Sequence, residues 1–176
     1  AEGYEVAIAN AFERGDPAGS AAILERMKKA ASVRGLARLE RLARVFEGRL
    51  HKRRDAFDWH AGGWRESPFS WREHHAGGVT LALIALAEHR AGDALALLAD
   101  LEAAAAAGGR RRDLRVLAAL SCAARRDVEG PEVAVPAFIA GLEEAVREDD
   151  TQFLVDLGSP MLPLLQKVLT NNAAAL

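Results

Sequence analysis

The chain has 176 residues, half of them apolar, and a formal net charge of −2. This composition provides enough apolar side chains for a hydrophobic core and excludes a dedicated nucleic-acid surface over the whole molecule. The single cysteine, Cys122, excludes an intrachain disulfide, and no apolar stretch approaches the roughly 20 residues that cross a bilayer. We therefore expect a soluble, cytoplasmic protein without membrane contact, folded as one domain over residues 1–176.

Helical periodicity runs through nearly the whole chain. Apolar residues recur at spacings of three and four, and no segment shows the alternation of a β-strand. The pattern predicts helices near residues 4–14, 17–33, 35–52, 54–61, 71–91, 93–107, 110–126, 131–148, 151–156 and 160–170. The fold class expected from it is all-α.

Helix starts and ends are marked by local signals between these segments. Gly15-Asp16-Pro17 indicates a helix end, an N-cap and a proline at the first helical position. The other signals are Gly62-Gly63 and Gly108-Gly109 at helix ends, Gly92-Asp93 and Gly130-Pro131 between helices, and Ser70 with Glu73 as a capping box. Ala76-Gly77-Gly78 lies early in a predicted helix, which indicates either close helix approach or a local break.

The chain also resembles itself at fixed offsets. A shift of 74 residues aligns Leu24, Met27, Ala31, Gly35, Leu42 and Phe46 with Leu98, Leu101, Ala105, Gly109, Val116 and Leu120. A shift of 41 aligns Leu97, Leu98, Leu101 and Glu102 with Phe138, Ile139, Leu142 and Glu143. Units of about 37 to 41 residues are typical of helix-turn-helix arrays, in which neighbouring units hide each other's apolar stripes. We predict a tetratricopeptide-like helical-repeat superhelix of antiparallel helix pairs.

Aromatic residues cluster where the repeat is irregular. All three tryptophans, Trp59, Trp64 and Trp71, lie within 13 residues of each other. The candidate ligand-binding residues there are Trp64, Arg65, Trp71, His74 and His75, because flat aromatic faces with polar neighbours are typical of small-molecule sites. The alternative is that the aromatic side chains fill a gap in the core, and Trp59 fits that alternative better than the other two.

Charge is distributed unevenly along the chain. Residues 34–54 hold eight arginines and lysines against two glutamates, whereas residues 127–156 hold nine acidic residues against one arginine. Arg34, Arg38 and Arg41 share a predicted stripe that could meet an anionic effector or an acidic partner, so Arg38 and Arg41 join the candidate site. The alternative is an ordinary solvated face.

Signals of catalysis or of a bound metal are weak. His60, His74 and His75 lack the spacing of metal ligands, and the adjacent pair points to different helix faces. Cys122 lies in an apolar run with no histidine or lysine close in sequence to activate it. We therefore predict no catalytic residues, no metal and no cofactor.

Four segments together carry a family resemblance: Asp55–Gly63, Thr80–Asp93, Ala94–Gly109 and Phe153–Leu165 with its Gly158-Ser159-Pro160 turn. Their ordered combination, over roughly Leu36 to Leu169, resembles the tetratricopeptide-like sensor region of large LuxR-type, MalT-like bacterial transcriptional regulators. In that family an ATPase module and a winged-helix module precede this region, and a helix-turn-helix DNA-binding module follows it. The chain opens directly on helix-like sequence at Ala1, so we expect a piece of such a regulator.

The resemblance implies signal reception. A small-molecule inducer or a regulatory protein would bind the superhelix and bias assembly on DNA, while this region itself would not contact nucleic acid. The chain contains no GxxxxGK[ST] phosphate-binding loop, so the resemblance implies no ATP hydrolysis here. The alternative function is a protein–protein interaction scaffold without a small-molecule ligand.

Overall fold

A computed structural model describes residues 2–60 and 71–173, apart from the side chains of residues 2, 5, 9, 13, 156 and 171–173. The described part contains α-helices and short 3-10 turns and no β-strand, which confirms the all-α prediction. Its helices are α1 (Glu2–Glu13), α2 (Pro17–Arg34), α3 (Ala37–His51), α4 (Trp71–Ala87), α5 (Ala91–Ala107), α6 (Arg111–Val128), α7 (Pro131–Arg147), α8 (Gln152–Leu157) and α9 (Leu162–Ala173). Over these ranges no helix combines the length and the apolar character that crossing a membrane requires.

Most of the predicted helix boundaries are confirmed, because their signals act locally. The Asp16 carboxylate accepts a hydrogen bond from the Gly19 amide at 2.8 Å, and Pro17 is the first residue of α2. Gly35 and Gly109 adopt φ of +61° and +64° after α2 and α5, the left-handed conformation that ends helices at low cost for glycine.

Two boundary predictions were wrong. The helix expected at 54–61 is only a 3-10 turn, Arg54–Ala56, within the described residues. Gly92-Asp93 does not separate helices: α4 ends before His89, which has φ of +57°, and α5 begins at Ala91. Arg90 binds the carboxylate of Asp93 in the first turn of α5, so this acidic residue lies inside the helix. Gly62-Gly63 and Ser70 lie outside the described residues.

The helices group into two compact units, residues Ala1–Ile84 and Ala85–Leu176, and the boundary falls within α4. In unit 1, α2 packs against both α1 and α3. One cluster of buried core residues in this unit consists of Ile8, Leu24, Met27, Ala31, Leu39, Leu42 and Ala43. That residues 1–176 form a single domain stays a prediction.

Unit 2 repeats this arrangement, with α6 packed against both α5 and α7. Its largest fully buried side chains are those of Leu98, Leu101, Leu117, Leu120, Met161 and Leu164. After α7 the chain forms the short helix α8, turns at Gly158 with φ of +69°, and ends in α9, which contacts α7. Helices α1 to α3 and α5 to α7 thus pack against their sequence neighbours, whereas α8 contacts α6 and α9 contacts α7.

The internal repeat is visible in helix bounds and burial. A shift of 74 residues carries the first residues of α2 and α3 onto those of α5 and α6, and buried Leu24 and Met27 onto buried Leu98 and Leu101. The second offset is 40 residues, not 41. It carries both ends of α5 onto the ends of α7, and buried Ala94, Leu98 and Ala105 onto buried Ala134, Phe138 and Ala145.

Candidate functional site

The residues that follow the 3-10 turn form one wall of a cavity in unit 1. This cavity has a volume of about 130 Å³. Helix α3, the segment 57–60 and the first turns of α4 enclose it, and their lining residues are Arg41, Arg44, Val45, Phe57, Asp58, Trp59, His60, Glu73, His74 and Gly77. Aromatic, cationic and anionic side chains thus converge on one small space.

Trp59 and His74 form the most ordered part of this wall. Their rings stack with centroids 4.9 Å apart and planes inclined by 18°. The Trp59 indole Nε1 donates a hydrogen bond to the carbonyl oxygen of His74 at 2.9 Å, which ties segment 57–60 to α4. Trp71 lies beyond His74, with its ring tilted against those of His74 and His75 at 6.2 and 5.7 Å.

Two glycines make room for the aromatic side chains. A Cβ atom at Gly77 would lie 2.7 Å from Trp59 Cδ1, and one at Gly48 would lie 2.7 Å from Phe57 Cε1. Helix α4 is unbroken over Gly77. Of the two explanations for Ala76-Gly77-Gly78, close approach is therefore the correct one for Gly77, and the groups that approach are the Trp59 and Phe57 side chains rather than a helix.

Gly77→Ala is expected to lower the free energy of unfolding by about 1 to 3 kcal/mol, because the new methyl group forces Trp59 off its stack on His74. Chemical denaturation followed by circular dichroism would measure the change. The matched control is Gly141→Ala in α7, where a Cβ would meet nothing within 4 Å. This control is expected to be neutral or stabilising by up to about 1 kcal/mol, and equal losses in both variants would contradict the prediction.

Glu73 is a buried carboxylate held by two arginines of α3. Its side chain is only 3% exposed. Arg38 Nε lies 3.3 Å from Glu73 Oε1, and Arg41 Nη2 lies 3.4 Å from each carboxylate oxygen. The carboxylate therefore binds arginines that lie 32 and 35 residues earlier in the sequence. Ser70 lies outside the described residues, so the capping box that pairs it with Glu73 stays a prediction.

Burial also shifts the protonation of His74. Loss of hydration, reinforced by the nearby imidazoles of His60 and His75, lowers the pKa of His74 from 6.5 to about 4. Its ring is therefore neutral near pH 7. A neutral ring stacked on an indole adds an uncharged aromatic surface to a cavity that is also lined by charged groups.

The structure distributes the seven predicted site residues unequally. Arg41 and His74 line the cavity, whereas Arg38 reaches only Glu73, and Trp71 and His75 pack behind His74. Trp64 and Arg65 lie outside the described residues. The lining residues that the candidate set lacked include Phe57 and Trp59, which the sequence already showed in the aromatic cluster, and Arg44 and Asp58, for which no signal stood out.

The basic segment of residues 34–54 is largely engaged within the chain. Arg34 ends α2 and is separated from Arg38 by the turn at Gly35, so the predicted stripe does not continue along one helix. Arg44 binds Glu40 at 2.7 Å, and the guanidinium of Arg49 lies 5.2 Å from the centre of the Phe12 ring. These contacts favour the alternative of an ordinary surface for much of this segment.

No group of three or more histidine, cysteine or acidic side chains in the described ranges has the arrangement of a metal site. Cys122 is buried, and burial raises the pKa of its thiol, as expected for a small core side chain. The neighbouring Ser121 hydroxyl donates to the carboxylate of Glu102 at 2.7 Å, a contact that the sequence did not indicate.

Comparison of the chain with protein-family models, with curated proteins and with solved structures found no match.

Proposed function

We propose that this chain is the effector-binding region of a bacterial transcriptional regulator that resembles the LuxR-type, MalT-like class. The observation that carries the proposal is the aromatic cavity of unit 1, where Trp59, His74 and Phe57 meet the charged side chains of Arg41 and Glu73. An apolar pocket with a few convergent polar groups is the usual form of a small-molecule site. The region acts by binding and carries out no reaction.

The cavity chemistry favours a small, ring-shaped, polar effector such as a sugar. Its volume of about 130 Å³ is close to the roughly 150 Å³ of cavities that hold one benzene-sized ring. The indole face of Trp59 that does not stack on His74 can stack on a ring, while Arg44 and Asp58 at the cavity can bind hydroxyl groups. Both of these charged side chains are exposed, so an effector can reach them without breaking the ion pairs of Glu73. Arg44 would exchange its exposed ion pair with Glu40 for the effector.

Signalling would follow from a shift between conformations. We infer a tetratricopeptide-like superhelix in which the cavity joins α3 to α4 through segment 57–60. An effector that contacts all three elements would favour one arrangement of the helices, and the flanking ATPase and DNA-binding modules of the parent chain would respond to it. The effector must bind the two arrangements with different affinity, since equal affinity shifts no population.

A thermal-shift screen against sugars and other small polar metabolites tests the proposal. An effector at 100 times its dissociation constant is expected to stabilise the chain by about 2.7 kcal/mol. Arg44→Ala removes an exposed cavity cation and is expected to weaken binding at least tenfold without loss of structure. The matched control is Arg26→Ala, on an exposed position of α2 away from the cavity, which is expected to leave the affinity unchanged.

If no compound in a broad panel stabilises the chain, the result would favour the second candidate, a protein–protein interaction scaffold. The observation behind this alternative is a set of exposed apolar side chains on unit 2, namely Val133, Val146, Val155, Leu162 and Leu169. The sequence of the parent chain separates the candidates independently. A phosphate-binding loop upstream and a helix-turn-helix module downstream are expected for the regulator, and the scaffold requires neither.

A further inference from the structure

Unit 2 contains a second cavity, of about 300 Å³, between α6, α7 and α8. Its walls are mainly apolar: Leu114, Ala118, Phe138, Leu142, Phe153 and Leu154 line it. This volume is at the lower end of the range of about 300 to 1,000 Å³ that is typical of small-molecule sites. None of the predicted site residues that the structure describes, namely Arg38, Arg41, Trp71, His74 and His75, lines this cavity.

The cavity occupies the same place in the repeat as the aromatic cavity of unit 1. The shift of 74 residues carries the α3 wall residues Arg41, Arg44 and Val45 onto Arg115, Ala118 and Ala119, which line the cavity of unit 2. The side chains at these positions differ in chemistry. Alanine in place of Arg44, and a regular helix in place of the aromatic segment, make the second cavity larger and more apolar.

Gly141 leaves one side of the cavity open. It lies inside α7, where glycine costs about 1 kcal/mol relative to alanine, and a Cβ there would meet nothing within 4 Å. Within the described residues, no packing contact therefore requires glycine at this position. A glycine without a packing role at a cavity wall lets a bound molecule approach the backbone.

Two charged side chains of opposite sign line the same cavity. Neither the Arg111 guanidinium nor the Glu144 carboxylate forms an ion pair or a side-chain hydrogen bond within the described part of the chain, and both side chains are exposed. Arg115, which also lines the cavity, is already neutralised by Asp150 at 2.7 Å and by Glu148. The cavity thus offers one cation, one anion and an apolar interior.

We propose that this cavity binds an apolar α-amino acid, with leucine and phenylalanine as its best representatives. The α-carboxylate would bind Arg111 and the α-ammonium would bind Glu144, while the side chain would lie among Phe138, Leu142 and Phe153. A fatty acid would leave the Glu144 carboxylate facing a like charge, and an alkylamine would do the same at Arg111. Only a molecule with both charges and an apolar body matches all three features.

Isothermal titration of the full chain with L-leucine and L-phenylalanine tests the proposal. Saturable binding at one site is expected, with at least tenfold weaker binding of octanoate, octylamine and glycine. Glu144→Gln and Arg111→Gln are each expected to weaken binding of the amino acid at least tenfold. Failure to bind either amino acid, or octanoate binding that exceeds leucine binding and ignores Glu144→Gln, would overturn the proposal.

Two further measurements place the bound molecule in this cavity. Gly141→Leu fills the cavity and is expected to abolish binding, whereas Ala140→Leu, on an exposed neighbouring position that does not line it, is expected to preserve binding. Cys122 lines the cavity and is the only thiol of the chain, so bound leucine is expected to slow its alkylation at least fivefold. Arg44→Ala in the unit 1 cavity is expected to change neither result, which separates this site from the effector site proposed above.

Discussion

Replacing Glu73 by alanine is expected to lower the free energy of unfolding by about 2 to 4 kcal/mol, because it leaves two arginines facing each other without their shared anion. The Glu73 side chain is 3% exposed, and that of Arg41 is 26% exposed, so water can replace the lost carboxylate only in part. Arg38 is about half exposed and contributes less. Glu73 also lies in the first turn of α4, where the helix dipole favours a negative charge.

Urea denaturation of the full chain at pH 7 would measure this loss. Glu73→Gln keeps the shape of the side chain and is expected to cost less than the alanine variant. The matched control is Glu40→Ala, which breaks the ion pair with Arg44 that is more than half exposed on both sides and is expected to cost less than about 1 kcal/mol. A Glu73→Ala variant as stable as Glu40→Ala would show that the buried pair contributes nothing.

Acidification from pH 7.5 to 5 is expected to cost about 2 kcal/mol of stability through His74 alone. The unfolded chain binds a proton at this residue near pH 6.5, whereas the folded chain resists protonation down to a pKa of about 4. The stabilising contribution is therefore complete above pH 6.5 and is lost as the pH falls towards 4. His60 and His75 share this region, and Arg41, Arg44, Asp58 and Glu73 line the same cavity.

His74→Phe isolates this effect, because phenylalanine preserves a ring against Trp59 but does not titrate. The variant is expected to lose less stability than the parent chain between pH 7.5 and 5, by about 2 kcal/mol. His89→Asn is the matched control, since His89 is exposed and asparagine tolerates its positive φ. The two variants and the parent chain would be compared by urea denaturation at several pH values, and parallel curves for parent and His74→Phe would contradict the assignment.

The ion pairs of the two units follow the repeat. Arg38 and Arg41 in α3 occupy the positions that Arg112 and Arg115 occupy in α6, 74 residues later. The first pair binds Glu73, and the second pair binds Asp150, which lies between α7 and α8. We interpret this repeated arginine pair as a structural feature that holds the second helix of each pair against the following segment. Arg38 therefore has a structural role in the contact with Glu73.

Helix content, most helix boundaries and the 74-residue repeat could be predicted from the sequence alone. The reason is that N-caps, prolines at helix starts and left-handed glycines act on backbone groups within about four residues of themselves. The signals at Asp16-Pro17, Gly109 and Gly130-Pro131 mark helix starts and ends whatever the tertiary context. At Gly92-Asp93 the helix-boundary signal was ambiguous, and the predicted boundary was wrong by about one helical turn.

The candidate site could be predicted only in part, because its contacts join residues that are distant in the sequence. Glu73 binds arginines of α3, and Gly77 faces the Trp59 side chain, and no local pattern in the sequence indicates either contact. The 40-residue offset was missed by one because a slip of one residue still leaves apolar side chains near the core stripe. Helix packing alone decides which carboxylate binds which arginine and which aromatic ring fills which gap. The energies of these contacts arise between distant segments, so they leave no local pattern in the sequence.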